Sequence, residues 1–123
     1  MAKILIADDR QLMCSALKTA FVMRPKWEVC GEATDGREAV TKVSELQPDL
    51  IIMDFKMPIA DGIEAAREIS AAAPSIPIVI YTLYRNDELD AAAKQVGVRS
   101  VVSKQDGLLH LLEAIDAELP HAK

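Results

Sequence analysis

Short apolar runs alternate along the chain with stretches whose apolar residues recur every three or four positions. The runs read as buried strands and the spaced stretches as amphipathic helices. The first run is Lys3 to Ala7, ended by Asp8-Asp9. From Gln11 the spacing turns helical, with Met13, Leu17, Ala20 and Phe21 on one face, until Pro25 stops it. Trp27 to Ala33 reads as a second strand and Thr34-Asp35-Gly36 as a turn. A second helix carries Ala39, Val40, Val43 and Leu46, and Pro48 lies just beyond it. Leu50 to Met53 is an unbroken apolar run, the mark of a strand buried on both faces, and it leads straight into Asp54. Pro58 and Asp61-Gly62 turn the chain into a third helix with Ile63, Ala66 and Ile69, which ends in Ala71-Ala72-Ala73-Pro74. Ile76 to Tyr81 is a fourth strand. Asn86 or Asp87 caps a fourth helix carrying Leu89, Ala92, Ala93 and Val96, closed by Gly97. Val98 to Ser103 is a fifth strand, and Asp106 caps a last helix with Leu108, Leu111, Leu112, Ile115 and Leu119.

Five strands alternating with five helices predict an α/β, doubly wound fold: a parallel sheet with helices on both faces, because each right-handed crossover needs a covering helix. The length of 123 residues suits one domain with a real core, and no repeat, linker or low-complexity segment interrupts it. A net charge of −5 argues against a nucleic-acid groove within the chain. No apolar run approaches the roughly 20 residues of a membrane span, and the start is too short an apolar stretch for a signal peptide. The expected compartment is the cytoplasm, where Cys14 and Cys30 fit as reduced, buried, apolar-like thiols.

Two strand ends carry acids, Asp8-Asp9 after the first strand and Asp54 after the third. In a doubly wound sheet these strands are neighbours, so three carboxylates converge on the edge where such sheets bind ligands. Three like charges at one place call for a divalent cation or for protonation. Hard oxygen donors with open positions suit Mg²⁺. The fourth strand ends at Thr82 and the fifth at Lys104, on the same edge, and they add a hydroxyl and an ammonium. A nucleophilic carboxylate, a metal and two donors suit phosphoryl transfer onto an aspartate.

The set Asp8-Asp9, Asp54 in Met53-Asp54-Phe55-Lys56-Met57-Pro58, Gly62, Thr82 and Lys104 resembles the receiver domain of two-component response regulators over the whole chain. The resemblance implies a flavodoxin-like fold with five strands in the order 2-1-3-4-5 and five helices. It implies that Asp54 is the phosphoacceptor, taking a phosphoryl group from a sensor histidine kinase. It implies that Asp9, Asp54 and the backbone carbonyl of Lys56 hold Mg²⁺ directly while Asp8 holds a metal-bound water. Thr82 and Lys104 then contact phosphoryl oxygens, and the face of the fourth helix, fifth strand and fifth helix signals to partners. The segments Trp27 to Ala33 and Asp35 to Val40 and the Leu-rich last helix resemble the branch with a LuxR-type helix-turn-helix output, which implies a role in transcription regulation. The sequence does not say whether the domain dimerises; pairing through helices one and five or four and five is compatible with it, and a homodimer on phosphorylation is one expectation. Residues 1–119 are expected to form the receiver, and 120–123 a tail or the start of a linker. The chain is expected to be a stand-alone receiver or an excised domain, with any DNA-binding output outside it.

The chain departs from the commonest family pattern in four places, the last of them the pair Lys56 and Tyr84. Val101 stands at the aromatic switch position, Gln105 follows Lys104 in place of proline, Leu83 is bulky, and Lys56 and Tyr84 flank the site. The Lys56 side chain is expected to point to solvent, and switching to rest on backbone shifts or on Tyr81 or Tyr84. A phosphatase working through an aspartyl-phosphate needs an acid two positions after the nucleophile, where this chain has Lys56. A flavin or nucleotide binder needs a phosphate cradle, and Asp8-Asp9-Arg10 repels phosphate. The remaining alternative is a degenerate receiver acting only as a docking module. His110 and His121 are expected to be solvated, and Leu109 to be exposed.

Overall fold

The computed structural model describes residues 1–119, so the expected tail at 120–123, with His121, lies outside the described residues. Strands β1 (Ala2–Ala7), β2 (Trp27–Ala33), β3 (Leu50–Met53), β4 (Ile78–Thr82) and β5 (Ser100–Ser103) alternate with helices α1 (Gln11–Val22), α2 (Gly36–Leu46), α3 (Gly62–Ala72), α4 (Asp87–Gln95) and α5 (Leu108–Glu118). All pairings are parallel and the order is β2-β1-β3-β4-β5, as the resemblance implies. The β1–β2 register slips between Ile4 and Leu5, where Val29 and Gly31 face consecutive β1 residues and Cys30 is skipped.

The sheet separates two apolar layers, and strand alternation assigns residues to each. Leu5, Ile51, Met53, Ile78 and Ile80 join α2, α3 and α4 on one side. Ile4, Ile6, Leu50, Ile52, Val79 and Tyr81 join α1 and α5 on the other. β3 and β4 are buried at every position, which is why their sequences are continuous apolar runs rather than alternating ones.

Helix starts follow side-chain chemistry. Asp35 accepts from Glu38 N–H, Asp61 and Glu64 form a reciprocal capping box, and Asn86 rather than Asp87 caps α4 by accepting from Leu89 N–H. The expected Asp106 cap is corrected: Lys104–Asp106 forms one 3₁₀ turn, and α5 starts after Gly107, whose φ of +92° reverses the chain without a side-chain cap. Two strand starts shift for a related reason. Val98 N–H is taken by the Ala93 carbonyl at the end of α4, so β5 begins at Ser100 rather than Val98. β4 begins at Ile78, just after Pro77, and extends to Thr82. On α1 the deepest residues are Cys14, Leu17 and Phe21, while Met13 and Ala20 are half-buried. Gly62 matters for the site: a Cβ there would lie 2.3 Å from the Asp54 carbonyl oxygen, so only glycine lets α3 start against the end of β3.

Candidate functional site

The parallel register delivers the ends of β1, β3, β4 and β5 to one edge. Asp54 N–H donates to the Ala7 carbonyl at 2.8 Å, which continues the β1–β3 ladder and sets Asp54 beside Asp8. Asp8 N–H donates to the Ala33 carbonyl at 2.9 Å and aligns that residue against β2. Asp8 and Asp54 are both buried, at 4% and 5% exposure, while Asp9 is open to solvent. One carboxylate oxygen from each of Asp8, Asp9 and Asp54 lies within 4.8 Å of the others. That close set of hard anionic oxygens, one of them exposed, fits a small divalent cation such as Mg²⁺.

Lys104 reaches this cluster from the end of β5. Its ammonium donates to Asp8 Oδ2 at 2.8 Å and to Asp54 Oδ2 at 3.2 Å, with all three side chains about 5% exposed. Its nitrogen lies 5.8 Å from the Tyr81 ring centroid. The second oxygen of each acid is also engaged: Asp54 Oδ1 accepts from Phe55 N–H at 2.7 Å, and Asp8 Oδ1 from Arg10 N–H at 2.8 Å. Burial pushes the Asp54 carboxyl above its ordinary pKa, and neighbouring Asp8 adds to that push. The Lys104 ammonium and the Thr82 hydroxyl work against it by favouring the anion. The result is a poorly hydrated carboxylate whose ionisation depends on one cation.

Thr82 is fully buried at the end of β4, and its Oγ1 accepts from Tyr84 N–H at 3.2 Å. Leu83 and Tyr84 are exposed beside it. Lys56 is exposed as expected, yet it is not free: its ammonium lies 4.8 Å from the Tyr84 ring centroid. Val101 is half-buried against the α2–α4 layer. No peptide bond among the described residues is cis, so Gln105 follows Lys104 through a trans bond.

The six positions expected from the sequence, Asp8, Asp9, Asp54, Lys56, Thr82 and Lys104, lie at the carboxyl edge of the sheet, on strand ends or the loops after them. Three supporting contacts were not expected. Ser103 Oγ accepts from Gln105 N–H at 3.1 Å and turns the chain just where Lys104 must point inward; the signal for it is a serine immediately before the turn. Cys14 donates its thiol to the Asp8 carbonyl at 3.7 Å, and burial pushes its pKa up to about 11, so it acts as an inert part of the site's floor. The Lys56–Tyr84 stack joins two loops and has no local sequence signature. Cys30 is half-buried, Leu109 is exposed, and exposed His110 lies 4.0 Å from Glu113 on its own helix.

Residues 4–116 match the response regulator receiver domain family. The chain is 34% identical over 114 residues to the chemotaxis protein CheY of Thermotoga maritima, covering 93% of this chain and 94% of that one. It is 30% identical over 115 residues to the transcriptional regulatory protein LnrK of Bacillus subtilis, covering 94% of this chain and 52% of LnrK. It therefore spans about half the length of several curated relatives it matches. Among solved structures, a LuxR-family two-component response regulator from Aurantimonas superposes with a TM-score of 0.90 at 30% identity, over 95% of this chain and 84% of that one. The response regulator domain of Thermotoga maritima CheB gives 0.89 at 29% identity, over 100% and 99%.

Proposed function

The chain belongs to the response regulator receiver domain family, and on that premise we propose that it is a phosphorylation-controlled switch with Asp54 as its phosphoacceptor. The observation that carries this reading is the buried meeting of Asp54, Asp8 and Lys104 at the mouth of the sheet, with Thr82 on the next strand end.

The phosphoryl donor in this reading is a sensor histidine kinase. An Asp54 carboxylate oxygen forms a bond to phosphorus as the phosphorus–nitrogen bond of a phosphohistidine breaks, and the histidine nitrogen keeps the electron pair and takes up a proton. Burial leaves the Asp54 anion poorly hydrated, and the Lys104 ammonium favours the anion against that burial. Lys104 then pairs with one phosphoryl oxygen and the Thr82 hydroxyl donates to another. Asp9, Asp54 and the Lys56 backbone carbonyl would hold Mg²⁺ directly and Asp8 would hold it through a water, and the bound ion would supply positive charge to offset that of the transferring group. The chain is a phosphoacceptor that assists its own phosphorylation and dephosphorylation, not an enzyme acting on a separate substrate. The acyl phosphate carries more negative charge than the carboxylate it replaces, and the resulting loop shift is presented to partners at the face formed by α4, β5 and α5 and favours a homodimer. A cytoplasmic location fits a kinase donor, and no described helix is long and apolar enough to cross a membrane. Longer relatives are named as transcriptional regulators, and control of transcription is proposed through an output of that kind. The intact acid, Thr82 and Lys104 set favours this switch over a docking-only receiver.

The test is intact mass after incubation with Mg²⁺ and acetyl phosphate. Wild type is expected to gain about 80 Da, one phosphoryl group, and Asp54→Asn or EDTA to abolish the gain. Uptake that persists in Asp54→Asn would overturn the assignment.

A further inference from the structure

The turn that Ser103 and Gln105 close has Lys104 at its centre, and its two sides are held very differently. On the sheet side, Ser103 is the last residue of β5, pairs with Thr82 of β4 and is buried. On the other side, Gln105, Asp106 and Gly107 are all exposed, and a Cβ on Gly107 would meet nothing within 4 Å. The Lys104 carbonyl accepts from Gly107 N–H at 3.4 Å, a long bond. The helix α5 then begins without a side-chain cap. Among the described residues, the Ser103 hydroxyl is the one side chain that hydrogen-bonds the backbone of residues 104–107. Lys104 has a long, flexible stem, yet its ammonium sits between Asp8 Oδ2 at 2.8 Å and Asp54 Oδ2 at 3.2 Å. A stem with that many rotors reaches one point reliably only when its root is fixed.

We propose that Ser103 is a positioning residue for phosphoryl transfer: by holding Gln105 N–H, its hydroxyl fixes the Lys104 backbone as a stationary pivot, and the ammonium alone swings from the two carboxylates to the arriving phosphoryl group. This rests on the phosphoacceptor reading above. Before transfer, Asp8 and Asp54 share the ammonium. Once an Asp54 oxygen is bonded to phosphorus, the negative charge lies on the phosphoryl oxygens, and the ammonium follows it. With the root held, that move needs only side-chain torsions. With the root loose, residues 104–107 drift toward solvent and the ammonium reaches the edge in many geometries. The bond needs both of its partners: a hydroxyl at 103 and a residue at 105 that keeps its N–H, as Gln105 does and a proline would not. Misplacing a reacting group by about 1 Å costs about 100-fold in rate. Losing one turn bond, which loosens the root without unfolding it, is expected to cost about tenfold.

The test reads two quantities on the full chain. One is the rate of mass gain with Mg²⁺ over a range of acetyl phosphate concentrations. The other is the ¹H–¹⁵N resonance of the Lys104 ammonium without Mg²⁺, which burial between two carboxylates protects from exchange with water. Ser103→Ala and Ser103→Val remove the hydroxyl, while Ser103→Thr keeps it in the shape of valine. Ala and Val are expected to lower the maximal rate about tenfold, to leave half-saturation within about twofold, and to erase the ammonium resonance. Thr is expected to keep both rate and resonance. With beryllofluoride and Mg²⁺ as a phosphoryl mimic, the wild-type ammonium is expected to shift while the Gln105 amide stays still. Wild-type rate and resonance in Ser103→Ala would overturn the proposal. So would a Thr variant that behaves like Val, or a Gln105 amide that responds to the mimic as strongly as its neighbours at Phe55. If wild type gains no mass, the phosphoacceptor reading fails. The pivot is then judged on the resonance alone, and a resonance that Ser103→Ala leaves unchanged overturns it as well.

Discussion

Strand β3 has an aspartate just before it and another just after it, and a lysine holds each. Asp49, at the amino end, is exposed and accepts from Lys3 N–H at 2.7 Å, while the Lys3 ammonium donates to the Leu46 carbonyl at 2.9 Å. These bonds stitch β1, β3 and the end of α2 together through backbone groups. Asp54, at the carboxyl end, is buried, and it meets the Lys104 ammonium together with Asp8. At the amino end, charge is hydrated and its bonds are local. At the carboxyl end, two buried acids share one cation, so removing a member leaves buried charge without its compensation. At one end an exposed aspartate accepts from a backbone N–H and closes the strand; at the other a buried aspartate meets an ammonium and makes a reactive centre, and burial and the donor's charge are the difference.

The largest expected effect that sharpens this contrast is at Lys104. Lys104→Met leaves Asp8 and Asp54 facing each other without a cation. Denaturant unfolding without Mg²⁺ at neutral pH should show a loss of about 3 kcal/mol, partly recovered by added Mg²⁺. A loss under half of that would mean that the acids are already hydrated, and the contrast would collapse.

A pH titration comes next. The Asp54 pKa is raised in the folded state, so the folded protein binds that proton more tightly than the unfolded chain. The stability linked to it is fully present below the ordinary carboxylate range and is lost as pH rises through the raised value. Asp54→Asn is therefore expected to be more heat-stable than wild type at neutral pH without Mg²⁺, with the gap closing on acidification. A gap that widens toward acid pH would reverse the sign and contradict the burial argument.

Backbone conformation offers a smaller test, since each edge holds one non-glycine residue with positive φ. Gln47, at the end of α2, has φ of 49°, and its side-chain amide donates to the Val43 and Ser44 carbonyls. Ile59, on the loop after Asp54, has φ of 72° within the tight turn closed by Ala60 N–H to the Pro58 carbonyl, and its β-branched side chain is 78% exposed. Ile59→Gly is expected to raise unfolding stability by about 1 kcal/mol by relieving that conformation. Gln47→Gly should bring no comparable gain, because it gives up two side-chain bonds. Equal gains at both positions would show that the carboxyl edge stores no special strain.

The smallest expected effect is at Asp49. Asp49→Ala should cost under about 1 kcal/mol, as an exposed polar contact does, and should leave acetyl phosphate uptake at the wild-type rate. Reduced uptake would mean that the two ends of β3 are coupled.

Much of this was legible in the chain. The apolar runs of β3 and β4 and the helical spacing of α2 and α3 placed those elements to within a residue or two, because short length and flanking turn residues mark the runs as strands and three-to-four spacing marks the helices. Asp8, Asp9, Asp54, Thr82 and Lys104 were legible as a set, since strand ends in a parallel sheet share one edge. The start of α5 was not: Asp106 looked like a cap, but the chain uses it in a 3₁₀ turn, and glycine geometry sets the helix start. β5 also began later than its apolar residues suggested, because Val98 N–H bonds to the end of α4 rather than to the sheet.

The sequence alone determined the element order, the two-sided sheet and which residue types stand at its carboxyl edge, because hydrophobic period and turn chemistry are local properties. The tertiary structure decided how those residues meet. It set Lys104 between Asp8 and Asp54, placed the Cys14 thiol beneath Asp8, and laid Lys56 over Tyr84. Each of these contacts joins segments whose approach depends on sheet register and helix packing, and no local pattern of side chains encodes a distance across a fold.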